Sequence, residues 1–416
     1  MKNFSMVELF SGIGAQAKAF SRVCKRKNIS FKTLKTCEWD IHAITGYYLI
    51  HRKSKEIINW SNEKCNKYLS SFNLSNDGKV LANIKTITGL SLPLKRLICT
   101  AIKETHNLID VKSIHAQDIP NNLDVLTYSF PCQDLSNVGG FHRVQRGIDR
   151  DANSRSGLLW EVERILKERK ALSMDMPRFL ILENVTSLLA ERHRHNFEDW
   201  KEQLRKLGYY NKVYKLNSLN LGVPQHRQRL IMLSIFTNNN SELENKIEDY
   251  LNKNDLEKVR IKMTPLSSIL KLDYSNSKYF NEAKLSQPNP TPSRNTIWNN
   301  NLKIIDENGN MTDHSATITT KQDRHPNSGN LYFDYPKNKL SKYRFLTPRE
   351  CFLLMGFDEN DYEKIIKNNL ASRKGSLFFS RDKMYKLAGN SIVVNVLEQI
   401  FDTIVSLDEL FFSNKK

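Results

Sequence analysis

Long apolar runs are absent from this 416-residue chain, and no stretch approaches the length needed to span a bilayer. The opening Met1-Lys2-Asn3-Phe4 lacks the apolar core of a signal peptide. Cysteine is sparse, with six residues at 24, 37, 65, 99, 132 and 351. None forms a Cys-x-x-Cys pair, so no zinc cluster and no other metal site is expected. A chain this long has no need of disulfides. The expectation is a cytoplasmic protein with free thiols and no membrane partner. Acidic residues are in deficit: 63 Lys and Arg face 45 Asp and Glu, leaving a formal charge of +18. That balance points to a polyanionic partner, nucleic acid before membrane, although the Asn- and Lys-rich composition accounts for some of it. The length allows two or three domains, and no internal repeat is present.

What is there is organised around Tyr128-Ser129-Phe130-Pro131-Cys132-Gln133. The apolar run 123–130 reads as a strand that Pro131 stops, leaving Cys132 on the turn beyond it. In open α/β sheets ligands bind at that edge. Upstream, 4–10 reads as a strand, Ser11-Gly12-Ile13-Gly14-Ala15 as a glycine turn, and 16–25 as a helix, a nucleotide-type unit in which glycines let a ligand approach the backbone. The next strand, 31–36, leads to Glu38, an acid suited to ribose hydroxyls, and to Trp39, a flat face for an adenine. Residues 51–117 read as inserted helices and loops. Asp118-Ile119 precede the Cys132 strand, and an arginine-rich stretch follows it, with Arg143, Arg146, Arg150 and Arg155. A helix begins at Leu158-Leu159-Trp160.

A second apolar strand, 177–182, ends in Glu183-Asn184-Val185, which puts a carboxyl on the same edge as Cys132. His193 and His195 are expected on the solvent face of a charged helix. Gln225-His226-Arg227-Gln228-Arg229 runs into a strong strand, and its alternation predicts Arg227 and Arg229 on one face. Residues 237–342 are polar and read as a separate small domain, with 316–320 a strand and 321–329 a recognition loop. Thr347-Pro348-Arg349-Glu350 has the form of a helix start, Gly356 of its end, and Cys351 is expected to pack inward. Gly389-Asn390-Ser391 lies before a last amphipathic run.

Taken in order, Phe10-Ser11-Gly12-Ile13-Gly14, Glu38-Trp39, Pro131-Cys132-Gln133, Glu183-Asn184-Val185, Gln225-x-Arg227-x-Arg229, the stretch Arg344 to Glu350 and Ala388-Gly389-Asn390-Ser391 closely resemble the DNA cytosine-5 methyltransferases of bacterial restriction–modification systems. The resemblance is poor over 51–117 and 240–315. It implies an α/β fold, a Rossmann-like methyltransferase sheet with helices on both faces plus a small target-recognition domain. The implied domains are 1–236, catalytic and cofactor-binding; 237–342, target recognition; and 343–416, a segment returning to the catalytic domain. The implied cofactor is S-adenosylmethionine, lined by Phe10, Gly12, Gly14, Glu38, Trp39, Asp118, Ile119, Pro131, Leu159, Asn390 and Ser391. Cys132 is the implied nucleophile and Glu183 the implied acid, with Arg229 at the cytosine and Arg227 beside it. The implied partner is double-stranded DNA, read by a monomer, with a cognate endonuclease encoded separately. Phrases such as Tyr128 to Ser136 resemble mollicute enzymes that methylate CG, but 316–329 departs from that subgroup, so CG specificity is not carried over. Gln322, Arg324 and His325 are candidates for reading bases. Three rival readings stand beside this one: a transfer-RNA methylase, an NAD-dependent oxidoreductase and a non-catalytic DNA-binding protein.

Overall fold

The computed structural model describes residues 2–52, 56–131, 155–335, 340–373 and 375–413. Cys132 and the arginines at 143, 146 and 150 lie outside them. The chain divides into two compact units: one of residues 1–216, 228–259 and 397–416, the other of 217–227 and 260–396.

The first unit is built on six strands, β1 (Asn3–Leu9), β2 (Ser30–Cys37), β3 (Val125–Tyr128), β4 (Phe179–Val185), β5 (Tyr209–Asn217) and β6 (Gln228–Phe236). Their order is β2-β1-β3-β4-β6-β5. Pairings β1–β2, β1–β3 and β3–β4 are parallel, while β4–β6 is antiparallel. β3 is buried throughout and β4 nearly so, which is why both are continuous apolar runs with no alternation. The order reverses between β1 and β3, so the switch point lies at the ends marked by Leu9 and Tyr128. Antiparallel β6 starts at the edge where β4 ends, with Arg229 opposite Val185 in the register.

Helix α1 (Ala15–Lys27) starts from left-handed Gly14 and stops at left-handed Asn28. Helix α2 (Ile41–His51) is capped by Asp40, whose Oδ1 accepts the His42 N–H at 3.0 Å. The inserted segment forms helices Asn62–Ser70, Ile84–Thr88 and Leu92–Glu104. They are pinned by buried Lys95, whose ammonium donates to the Asn62 and Asn66 side chains and to the Thr88 carbonyl. The last helix, Val394–Phe411, brings the chain back into the first unit from Leu397. There Phe401 stacks on Phe20 with centroids 4.4 Å apart, and buried Asp408 takes Arg178.

The second unit holds a three-stranded sheet, β7 (Lys303–Ile305), β8 (Asn330–Tyr332) and β9 (Tyr343–Phe345), in that order. Beside it, helix Pro348–Leu354 begins with the expected capping box between Thr347 and Glu350. Glu350 also makes a two-pronged pair with Arg344 at 2.8 and 2.9 Å, both side chains fully buried. Burial works against the Glu350 charge, but Arg344 outweighs it and holds the carboxyl below its ordinary pKa. Removing either partner would strand a buried charge, so this motif is scaffold. Cys351 is fully buried, as expected.

Two expectations are corrected here, for residues 316–320 and for His193. The compact units divide the chain at other points than the expected 236 and 342: helix Ser241–Lys253 lies in the first unit, and the chain re-enters that unit at Leu397. Residues 316–320 form no strand, because their hydrogen bonds are divided between the 225–226 segment and Ser328 and make no ladder. His193 is buried on helix Glu191–Lys206, on the face that also carries Phe197, Trp200 and Leu204. His195 is exposed.

Candidate active site

Phe10 leaves β1 with φ at 57°, a left-handed conformation uncommon for a bulky side chain. Gly12 and Gly14 follow at φ of 53° and 81°. The two glycines have different reasons. A Cβ at Gly14 would lie 2.3 Å from His51 Nε2 and 2.7 Å from the Tyr47 ring, so the close approach there is made by α2. A Cβ at Gly12 would meet nothing within 4 Å, so its open side is the one available to a ligand.

Glu38 faces this turn from the end of β2. Its Oε2 accepts the Gly12 N–H at 3.0 Å, and its Oε1 accepts the N–H groups of Trp39 and Asp40, each at 2.9 Å. The residue keeps some exposure, yet its carboxyl sits deep among protein atoms. That desolvation, helped by the Asp40 charge, outweighs the three amides and pushes its pKa up to about 7. Asn107, which the motif reading did not single out, holds Glu38 from behind. Its Oδ1 accepts the Glu38 N–H at 3.0 Å and its Nδ2 donates to the Glu38 carbonyl at 3.1 Å. The same Oδ1 takes the N–H of Ile109, a β-branched residue at φ 64°. Trp39 is half-buried.

Beneath the turn, Glu8 on β1 is fully buried. Tyr47 donates its hydroxyl to Glu8 Oε1 at 2.6 Å, while Oε2 has no hydrogen-bond partner among the described residues. Burial pushes this carboxyl up to about 7 despite Tyr47. At the β3 exit, Gln16 of α1 donates to Ser129 Oγ at 3.4 Å, joining the glycine turn to the segment that leads into Pro131.

Glu183 sits near the end of β4, and Arg229 Nε lies 3.4 Å from its Oε1. Antiparallel pairing of β6 is what delivers Arg229 there. The next residue, Asn184, is buried and donates to the Phe130 carbonyl at 3.2 Å, two positions before Cys132. The carboxyl edge of the first unit thus carries Phe10, Gly12, Glu38, Trp39, Pro131, Glu183 and Arg229 on neighbouring strand ends. Cys132 lies outside the described residues.

Other predicted residues have different places. Asp118 accepts the His115 N–H at 2.8 Å and closes a short turn. Ile119 and Leu159 are fully enclosed in the main apolar core, so neither side chain has surface open to a ligand. Arg227 and Arg229 have different partners. Arg227 belongs to the second unit, where its buried guanidinium donates to the carbonyls of Ile318, Gly389 and Ser391 at 2.9, 3.2 and 2.9 Å. Its role there is to clasp backbone. Asn390 ends helix Arg381–Asn390 and is exposed, while Ser391 is buried. Gln322 is also buried, and its amide bonds Thr319 and Ser328, which removes it as a base reader.

The family profile of the C-5 cytosine-specific DNA methylases matches residues 97–406. An orphan methyltransferase of Spiroplasma monobiae, M.SssI, is 31% identical over 97% of both chains. The type II methyltransferase M2.ScrFI of Lactococcus lactis subsp. cremoris is 29% identical over 95% of this chain and 97% of its own. Among solved structures, S. pombe Dnmt2 methyltransferase superposes with a TM-score of 0.57 and the Entamoeba histolytica methyltransferase EhMeth with 0.59. Each is 16% identical; together with 97% and 98% coverage of this chain and 99% of their own, they establish the fold alone. A sheet edge carrying a glycine turn, an acid at the next strand end and a Glu-Asn-Val strand end, in a chain that this profile matches over most of its length, belongs to the C-5 cytosine-specific DNA methylase family: the protein is a DNA cytosine-5 methyltransferase.

Proposed function

We propose that Cys132 is the nucleophile, that Glu183 and Arg229 hold the target cytosine, and that S-adenosylmethionine binds against Phe10, Gly12, Glu38 and Trp39. The observation that carries this reading is the tether from Asn184 to the Phe130 carbonyl. It sets the strand end that bears Glu183 beside the segment that continues into Cys132. Cytosine carbon-5 is a poor nucleophile on its own. Addition of the Cys132 thiolate to carbon-6 makes it an enamine, and Glu183 supplies a proton to ring nitrogen-3 as electrons move into the ring. Arg229, beside Glu183, donates to the base and keeps it in register. The S-adenosylmethionine sulfonium supplies an electrophilic methyl group to carbon-5. Loss of the carbon-5 proton to a base then expels Cys132, and nitrogen-3 returns its proton to Glu183 as aromaticity is restored. The cytosine has to leave the duplex stack for any of this to occur.

The residues suit this cofactor. Gly12 has open space where a side chain would project, and Glu38 is an acceptor for ribose hydroxyls at the neighbouring strand end. Asp118 and Pro131 would flank the site, and Ile119 and Leu159 would back it from the core. The second unit is the proposed target-recognition domain. A monomer acting on double-stranded DNA in the cytoplasm fits the basic charge and the absence, among the described residues, of any helix able to cross a membrane. Protection of host DNA alongside a separately encoded endonuclease is the proposed setting, supported by the type II name of one relative, while the orphan name of another marks the alternative.

The test is Cys132→Ser with methyl-labelled cofactor and either duplex DNA or RNA. Label should enter DNA with the wild type, and transfer should fall at least about 1,000-fold in the variant with DNA binding retained. Undiminished turnover would refute the assignment.

A further inference from the structure

The loop 319–329 of the second unit is held by an internal polar network. Buried Gln322 donates to the Thr319 carbonyl at 3.2 Å and to Ser328 Oγ at 2.9 Å, and accepts the Ser328 N–H. Buried Asn327 donates to the Gln322 carbonyl at 2.9 Å. Asn301 reaches in from the end of helix Pro292–Asn300: its Oδ1 accepts the Asn327 N–H at 2.8 Å and its Nδ2 donates to the Arg324 carbonyl at 3.1 Å. The backbone on both sides of Arg324 is therefore fixed from within.

Arg324 itself is anomalous. It is half-buried, and among the described residues its guanidinium has no hydrogen-bond acceptor and no ion pair. Its Nε is shielded from solvent with no partner. Burial lowers its pKa with no carboxylate to compensate. The adjacent acid, Asp323, is taken by Arg294 in a two-pronged pair, Nε to Oδ1 at 3.1 Å and Nη2 to Oδ2 at 2.6 Å. A desolvated cation without a partner costs free energy that the fold does not recover internally. Such a cost persists when the missing partner arrives with the substrate.

We propose that Arg324 reads a guanine in the recognition sequence, donating two parallel hydrogen bonds to its O6 and N7. The inference rests on the DNA-methylating activity and names one determinant of its target. A phosphate is the other acceptor DNA offers, but phosphates are met well by mobile exposed cations such as Lys321 on the same loop. Arg324 has its backbone carbonyl tethered by Asn301 and its Nε shielded from solvent. Its guanidinium, with no acceptor among the described residues, offers a planar fork, which matches two in-plane acceptors on a base edge.

The experiment offers wild type, Arg324→Ala and Arg324→Lys a pool of duplexes randomised around each cytosine, with methylation read by bisulfite sequencing. Wild-type methylation at cytosine carbon-5 checks the activity separately from the proposal. Both variants should lose preference for guanine at one position, with methylation of the preferred site falling roughly 10- to 100-fold. Methylation of sequences lacking that guanine should be unchanged, and so should the salt dependence of DNA binding in the Lys variant. If Arg324→Ala fails to fold, Arg324→Lys decides alone, since it keeps the charge and loses the fork. Unaltered base preference, or an equal loss over all sequences with a shallower salt slope, would overturn the proposal and leave a phosphate contact or a structural side chain.

Discussion

Asn107 governs the orientation of Glu38 more directly than any residue of the motif that carries Glu38. One side-chain amide bonds both the N–H and the carbonyl of Glu38, imitating a strand neighbour where the sheet has run out. It also anchors Ile109 in a strained conformation. Asn107→Ala removes three hydrogen bonds and leaves buried backbone groups unpaired, at about 1–3 kcal/mol for each stranded group. Cofactor affinity should weaken about tenfold or more while the maximal rate changes little, because Asn107 touches neither Glu183 nor the base. Calorimetric titration with S-adenosylmethionine, set beside steady-state rates, checks both halves. A loss confined to the rate would place Asn107 elsewhere in the chemistry. No spacing rule could have found this residue: it lies 69 positions from Glu38 and is an ordinary Asn in a polar stretch.

At the scale of elements, the contact between helix Arg381–Asn390 and the backbone at Thr319 and Thr320 has almost no tolerance. A Cβ on Gly389 would lie 2.5 Å from both the Thr319 carbonyl carbon and the Thr320 nitrogen, all backbone that cannot step aside cheaply. Gly389→Ala would favour the helix by about 1 kcal/mol on propensity. The clash costs about 1–3 kcal/mol and should win, so the unfolding midpoint should fall, and base preference should blur as residues 319 and 320 shift. A midpoint that rises would mean the loop yields freely. Here the limits of sequence reading become physical. β3 and β4 were legible because strands buried on both faces are rich in apolar residues, and the Thr347 cap because its bonds are local. The antiparallel direction of β6, the destination of Arg227 and the burial of His193 were not legible. Each depends on which distant surface the side chain meets. The same holds for the unit boundaries, since helix Ser241–Lys253 looks like polar linker until its Ile247 and Leu251 find the first unit.

For the molecule as a whole, stability carries a pH signature set by two carboxyls that flank the glycine turn. Glu8 and Glu38 both titrate near 7 in the fold, against 4.5 in an unfolded chain. Between those values the unfolded chain has released its proton and the folded one has not, so the folded state binds more protons and stability falls as pH rises. The favourable contribution is complete below 4.5 and gone once pH passes about 7. For Glu8, fully buried and so unscreened, the amplitude is at most on the order of 3 kcal/mol. Other groups titrate over the same range, so the informative quantity is a difference between variants. Glu8→Gln keeps an acceptor for the Tyr47 hydroxyl and removes the ionisation. Urea unfolding at pH 5, 6, 7 and 8 should show the variant gaining on the wild type with every step until the gap levels off above pH 7. Parallel curves would mean that Glu8 ionises in the fold at its ordinary pKa, with the burial cost met by a group not yet identified. The unpartnered Oε2 argues the other way: a protonated carboxyl can leave one oxygen bare in the core at modest cost, and a carboxylate cannot.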